Sequence, residues 1–235
     1  MSKYDNRPPI PVMFPLKGEW LAPSTPGKII PSHGTDEFGQ RFAYDFVKRE
    51  DMALAKGFWT GIRYWFTGGI SLKETKGVGA EILAPIAGKV IEAKDGWQER
   101  PKATPKDIWR VMTFPIQVSD EELKKDFRHL AGNYIIIEGK EAFCFLAHLT
   151  PNSVMVKEGE EVEEGQVVGR VGHTGNSTLP HLHMHLMDSP DFWQADGLPT
   201  SFKKYEKLEE DGKWHPQQNA IPGPKDIIRS TISVA

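Results

Sequence analysis

The chain has 235 residues, 39% hydrophobic and 26% charged, with a formal net charge of -3, which is enough to bury one sizeable core and argues against a nucleic-acid or anionic-membrane surface. A single cysteine, Cys144, excludes an internal disulfide, and its place in the run Ala142-Phe143-Cys144-Phe145-Leu146 reads as a buried, inert thiol. No apolar run reaches the roughly 18 residues of a membrane-crossing helix, so no membrane span is expected.

From the start, MSKYDNRPPIPVMFPLKGEW shows neither a basic segment followed by an apolar stretch nor a small-residue cleavage site, so no secretory signal is expected. That leaves the compartment open between the cell envelope or the extracellular space, if the protein is exported, and the cytoplasm. Residues 1–29 read as an N-terminal extension and 30–190 as one domain; residues 191–235 read as a peripheral extension packed on it. Prolines and glycines recur between β-branched or alternating runs, the pattern of short strands joined by tight turns. Strands are predicted at Ile82-Leu83-Ala84-Pro85, at Gly88 to Ala93, at Tyr134 to Glu138, at Ala142 to His148 and at Gln166 to Val171. The fold class is therefore predominantly β, a sandwich or barrel-sandwich.

Two insertions interrupt this core, near 48–79 and 95–130. The first carries the aromatic residues Phe58, Trp59, Tyr64, Trp65 and Phe66. In the second, Ser119-Asp120-Glu121-Glu122 is a capping box that starts a short helix running to about Leu130, with Gly132 ending it. Beyond Thr200 come polar strand-like segments around a Glu210-Asp211-Gly212 turn.

The chemistry lies in the histidines. His181, His183 and His185 alternate with Leu182, Met184 and Leu186; in a strand the three imidazoles project from one face, about 6–7 Å apart. Packing alone does not account for three histidines in such a row. Hydrolytic zinc commonly takes three protein ligands and keeps a fourth position for water, so the run needs distant partners. His33 in a glycine-containing loop, Asp45 between Tyr44 and Phe46, and His148 at the end of an apolar strand are the candidates. A carboxylate within such an aromatic stretch is costly to bury unpaired, and a metal would compensate it.

In order, His33, Asp45, Ala147-His148-Leu149, Gly172-His173-Thr174-Gly175-Asn176-Ser177-Thr178 and Pro180-His181-Leu182-His183 resemble the lysostaphin-type (LytM-like) zinc endopeptidases, which cut peptide cross-links in peptidoglycan. Ala84-Pro85-Ile86-Ala87-Gly88-Lys89-Val90, Gly132 to Ile137 and Val156 to Gly169 extend the resemblance over most of residues 33 to 188. It implies a duplicated-hybrid-motif β fold, a single Zn2+ held by His33, Asp45 and His183, and His148 and His181 as catalytic residues beside the open position. The implied partner is a peptide or peptidoglycan substrate. No role follows for His185. Asn176, Ser177 and Thr178 are expected to shape the groove.

One departure stands out. The family places its first histidine four positions before the aspartate, where this chain has Arg41; His33 precedes Asp45 by twelve. Either His33 reaches the metal over a longer loop, or a ligand is lost and the chain only binds cell-wall peptides. Asp36 is a less attractive ligand than Asp45. A histidine phosphocarrier is the reading from another class, because such carriers share the glycine-turned hairpins and use paired histidines; it gives no reason for His33, Asp45 and His183.

Overall fold

In the strand Leu182–Met187, apolar Leu182, Met184 and Leu186 alternate with His183 and His185, and the pleat sends the two sets to opposite faces. A computed structural model, which describes residues 3–56 and 68–231, places this strand at the centre of a large sheet, antiparallel to Tyr44–Lys48 on one side and to Phe143–Leu149 on the other. The sheet continues through Asn133–Glu138 and Gly88–Lys94 to Glu161–Val162. On the far side it runs through Glu19–Ser24, Ile227–Arg229 and Thr200–Leu208 to Ile10–Val12, whose pairing is parallel. The protein is predominantly β, as the sequence predicts, and every predicted strand has a counterpart within about two residues at each end.

One face of the sheet carries the main core. Tyr44, Phe46, Ile135, Ile137, Leu146 and Met184 share a single buried cluster with Ile82, Ala84 and Val168. Ile82 and Val168 lie on the separate two-stranded sheet of Glu81–Leu83 and Val167–Arg170, so that small sheet closes over the large one as a second layer. Cys144 belongs to this cluster, and burial pushes its thiol pKa upward, in keeping with an inert residue. Truncating Leu146 to alanine there costs about 2–5 kcal/mol.

The C-terminal stretch is hydrogen-bonded into the sheet: Gly197–Leu198 pairs with Leu186 and Met187 of the histidine-bearing strand, while the strands beyond Thr200 lie toward one end of the sheet and contribute fully buried Phe202 and Ile228 to the same core. Gly212, with φ +74°, makes the predicted turn, a left-handed conformation that glycine adopts without penalty.

The opposite face is covered by a smaller cluster in which Phe127 and Ala131 of the second insertion meet Tyr134, Ile136 and Phe145 of the sheet. The Ser119 capping box is present: Glu122 Oε2 accepts from Ser119 N at 2.9 Å, and Ser119 Oγ accepts from Glu122 N at 3.3 Å. Two short helices, Asp120–Lys125 and Arg128–Ala131, stand where one is predicted, and Gly132 with φ +64° ends the second. A longer helix, Pro105–Gln117, precedes them and is not in the prediction. Its signal is Thr104-Pro105-Lys106-Asp107: proline fits the first helical position, and Asp107 Oδ2 reaches back to Thr104 N at 2.6 Å and Oγ1 at 2.9 Å. The first insertion begins with the helix Arg49–Lys56; its aromatic run, Phe58 to Phe66, lies outside the described residues. Among the described residues no helix is long and apolar enough to cross a membrane.

Candidate metal centre

Asp45 and His183 are directly opposed across two antiparallel strands, so their side chains leave the sheet on the same face. His183 Nδ1 stands 2.9 Å from Asp45 Oδ1, and His33 Nε2 stands 2.9 Å from Asp45 Oδ2. One donor atom from each of the three lies within 4.8 Å of the others.

The twelve-residue gap before Asp45 is closed by the backbone. Ser32 N donates to Arg41 O at 3.0 Å, which folds the intervening loop back and sets His33 beside the position where the family has its histidine. Phe38 and Gly39, at φ +58° and +72°, turn the chain within that loop. Arg41 is engaged elsewhere, with Nε and Nη2 on Asp5 at 2.7 and 2.9 Å and Nη1 on Asp36. Asp36 is thus the exposed partner of an arginine and stands outside the cluster.

His148 enters the site through a break in strand alternation. Asn133 pairs with Leu149 and Tyr134 with Ala147, leaving His148 as the extra residue of a β-bulge. Regular alternation would aim it toward the core face that takes Leu146. Its left-handed backbone, φ +66°, instead turns it to the face of Ala147. Such a conformation costs a residue with a Cβ about 1–3 kcal/mol and collects at functional sites. His148 Nδ1 donates to Thr174 O at 2.9 Å, and His181 Nδ1 donates to Leu179 O at 2.7 Å. Each ring therefore presents Nε2 as its free nitrogen, and that of His181 is 3.4 Å from Asp45 Oδ1. The two rings are 4.6 Å apart between centroids. His185 contacts His183, Nδ1 to Nε2 at 3.0 Å, and its own Nε2 is buried without a hydrogen-bond partner.

Burial by itself would raise the Asp45 carboxyl, but His33, His181 and His183 hold it well below the ordinary carboxylate range. Burial, reinforced by neighbouring imidazoles, pushes His148 and His185 well below the usual histidine value and lowers His183 as well. His181 is raised: burial opposes its charge, and Asp45 more than offsets this. A carboxylate held ionised between the imidazoles of His33 and His183 is a donor set suited to a tetrahedral divalent zinc ion.

The cluster lies in a groove of about 740 Å³ whose walls include Phe38 and, from the second insertion, Met112, Phe114, Leu123 and Phe127. Asn176 and Thr178 line it. Ser177 does not; it is fully buried beneath the loop. Sequence reasoning also missed the polar groups behind that loop, Arg100, Asp107, Arg110 and His173. Arg100 Nη1 donates to Gly175 O at 2.7 Å, and Arg100 Nη2 and Arg110 Nη2 each donate to Ser177 O at 2.9 Å. Asp107 Oδ1 holds both arginines, at 3.1 and 3.0 Å. Burial lowers His173 to about 4, so it is neutral at pH 7.

Fold and site together describe a β-sheet domain with a two-histidine, one-carboxylate donor cluster in a long groove. Peptidase family M23 matches residues 118–194, a segment that holds His148, His181 and His183 and excludes His33 and Asp45. Over that segment the chain resembles the lysostaphin-type (LytM-like) peptidases, as the motif order implies. It is 39% identical over 57 residues to the peptidoglycan DD-endopeptidase ShyA of Vibrio cholerae, covering 24% of this chain and 13% of that protein. With ShyC of the same organism it shares 29% identity over 105 residues, 45% of this chain and 22% of the relative. The chain therefore spans less than a quarter of the length of either curated relative. Among solved structures, the catalytic domain of lysostaphin from Staphylococcus simulans aligns at 22% identity over 55% of this chain and 84% of its own, with a TM-score of 0.34. A zinc-containing peptidase from Vibrio cholerae aligns at 25% identity over 48% of this chain and 24% of its own, with a TM-score of 0.32.

Proposed function

We propose that this chain is a zinc-dependent endopeptidase acting on peptide bonds of peptidoglycan, in cross-links or stem peptides, with residues 30–190 as its peptidase domain. The observation that carries this reading is the convergence of His33, Asp45 and His183 on one point of the groove, with His148 and His181 presenting Nε2 beside it. His33, Asp45 and His183 would hold one Zn2+. When bound, such an ion polarises a carbonyl and brings the pKa of water toward neutrality.

The chain's own residues supply the proton handling. His181 Nε2, with its Nδ1–H tied to Leu179 O, accepts a proton from the attacking water. His148, tied to Thr174 O in the same way, bears on the other side of the reacting carbonyl; once protonated, either ring donates to the developing oxyanion or the leaving amine nitrogen. The groove walls of the second insertion exclude water from one flank of the extended peptide and set which side chains fit.

The test compares wild type, His183→Ala and His181→Ala for bound zinc by elemental analysis and for cleavage of purified peptidoglycan. Wild type is expected to hold about one zinc per chain and to release new amino termini. His183→Ala loses both metal and activity; His181→Ala keeps the metal and loses about 10²- to 10⁴-fold in turnover. A wild-type chain that neither binds zinc nor cleaves sinks the reading.

A further inference from the structure

Outside the donor cluster, residues 3–7 reach three separated parts of the chain through Asp5 on Arg41, Lys3 and Tyr4 on Asp188, and Arg7 on Glu141. The first of these contacts falls at the end of the loop that carries His33. Building on the zinc reading above, we propose that Arg41, pinned by Asp5, is a positioning residue for the metal centre: their ion pair seats the loop from Ser32 to Arg41 so that His33 stands on Asp45.

The bond from Ser32 N to Arg41 O closes the loop on itself, and a closed loop still has to be fixed against the sheet. Ser32 is tied to residues 40 and 41 by its N–H and, at 3.4 Å, by its hydroxyl on Gln40 O, so any shift of that end carries His33 with it. The Arg41 guanidinium grips Asp5 in a two-pronged pair, Nε to Oδ1 at 2.7 Å and Nη2 to Oδ2 at 2.9 Å, a geometry that fixes direction as well as distance. The side chains are only 11% and 17% exposed, so solvent and salt screen this pair far less than a surface bridge. Asp36 meets the same guanidinium but is 58% exposed. It also belongs to the loop, so it ties Arg41 to nothing outside.

Asp5 is anchored in turn on the surface that the loop rests on. Lys3 Nζ bridges Asp188 and Asp196 at 3.0 and 3.1 Å, and Tyr4 OH donates to Asp188 Oδ2 at 3.0 Å. Those two aspartates close the turn that follows the histidine-bearing strand, with Asp196 N donating to Asp188 Oδ1 at 2.8 Å. The loop lies tight on that turn: a Cβ on Gly39 would stand 2.9 Å from Met187 Cβ and 3.3 Å from Ala195 Cβ, and one on Gly197 would stand 2.5 Å from Gly39 O. Residues 3–5 therefore fasten both the loop and its seat. None of these side chains belongs to the donor cluster, so what they supply is the place of a ligand, as the partners of metal-ligating histidines do.

The full chain is compared as wild type, Asp5→Ala, Asp5→Glu, Arg41→Ala, the Asp5→Ala/Arg41→Ala double variant and Asp36→Ala. Zinc affinity is measured by competition with a chromophoric chelator, and amide hydrogen exchange is followed in the metal-free proteins. Asp5→Ala and Arg41→Ala are expected to weaken zinc by about ten- to a hundredfold, with faster exchange at Ser32 N–H and little change in the central strands. The double variant is expected to bind no more weakly than either single one, because both remove the same pair, and Asp5→Glu to recover most of the affinity. Asp36→Ala takes an equal charge from the same guanidinium and is expected to stay close to wild type. Unchanged affinity and Ser32 exchange in Asp5→Ala overturn the proposal. So does equal weakening in Asp36→Ala, which would assign the effect to charge, or exchange that rises alike across the sheet, which would assign it to general loosening. Should Arg41→Ala fail to fold, the Asp5 variants decide. A wild type that binds no zinc sinks the zinc reading, while Ser32 exchange in the metal-free chain still decides whether Asp5 seats the loop.

Discussion

His33 Nε2 lies 2.9 Å from Asp45 Oδ2 because the loop between them is clipped shut at Ser32 N and Arg41 O. Contact between two groups depends on where the backbone returns, and here it brings His33 onto Asp45 across a spacing of twelve.

The proposed ligand set rests on that geometry. His33→Ala and Asp45→Ala are expected to abolish retention of zinc after dialysis against metal-free buffer, whereas Asp36→Ala keeps it. Asp36 gives up only an exposed pairing with Arg41, worth less than about 1 kcal/mol. Zinc loss in Asp36→Ala with retention in Asp45→Ala would move the site.

Metal removal should register as stability. A ligand that binds only the folded state adds about 2.7 kcal/mol at a hundredfold excess over its Kd. For a chain of this size that corresponds to a rise in Tm of about 5–11 °C. Chelation is expected to lower Tm by this order and added zinc to restore it. An unchanged Tm in both directions would contradict a site closed by three ligands.

His148 allows strain to be separated from chemistry. With φ at +66°, replacement by glycine or by alanine removes the same imidazole, but only alanine keeps a Cβ in the left-handed region. His148→Gly is expected to be more stable than His148→Ala by about 1 kcal/mol in urea unfolding, and both are expected to be inactive. Equal stabilities would mean that the bulge relaxes when the side chain is lost.

Acid should destabilise the fold in two steps through His173 and Asp107. Burial lowers His173 to about 4, so the unfolded chain takes up its proton first and stability falls as pH drops from about 6.5 to 4. Burial would raise Asp107, but His173, Thr104 and Arg100 bring it down to about 2, so its contribution is present above the ordinary carboxylate pKa and fades between about 4 and 2. The His173 step amounts to on the order of 3 kcal/mol. Urea midpoints measured against pH should show a fall between 6.5 and 4 that is smaller in His173→Asn, the rest of it coming from His148, His183 and His185, which burial also lowers; a fall of equal size in the variant would assign the His173 share elsewhere.

Much of this protein could be read from local pattern. The alternation of His181, His183 and His185 with Leu182, Met184 and Leu186 determines which side chains share a face, since the strand period of two is a property of the backbone. Asp45 between Tyr44 and Phe46 follows the same rule, and the Ser119 box names a helix start from four residues. The Thr104-Pro105-Lys106-Asp107 start was equally legible and was missed. Tertiary structure alone decided the rest. His148 faces the groove because its strand bulges against Asn133 and Tyr134, His33 arrives because Ser32 meets Arg41, and the loop before His181 is held by Arg100 and Arg110 of the second insertion on Ser177 O. These relationships are single hydrogen bonds and register shifts between distant segments, which leave no periodic trace in the chain because their geometry exists only once the sheet has formed.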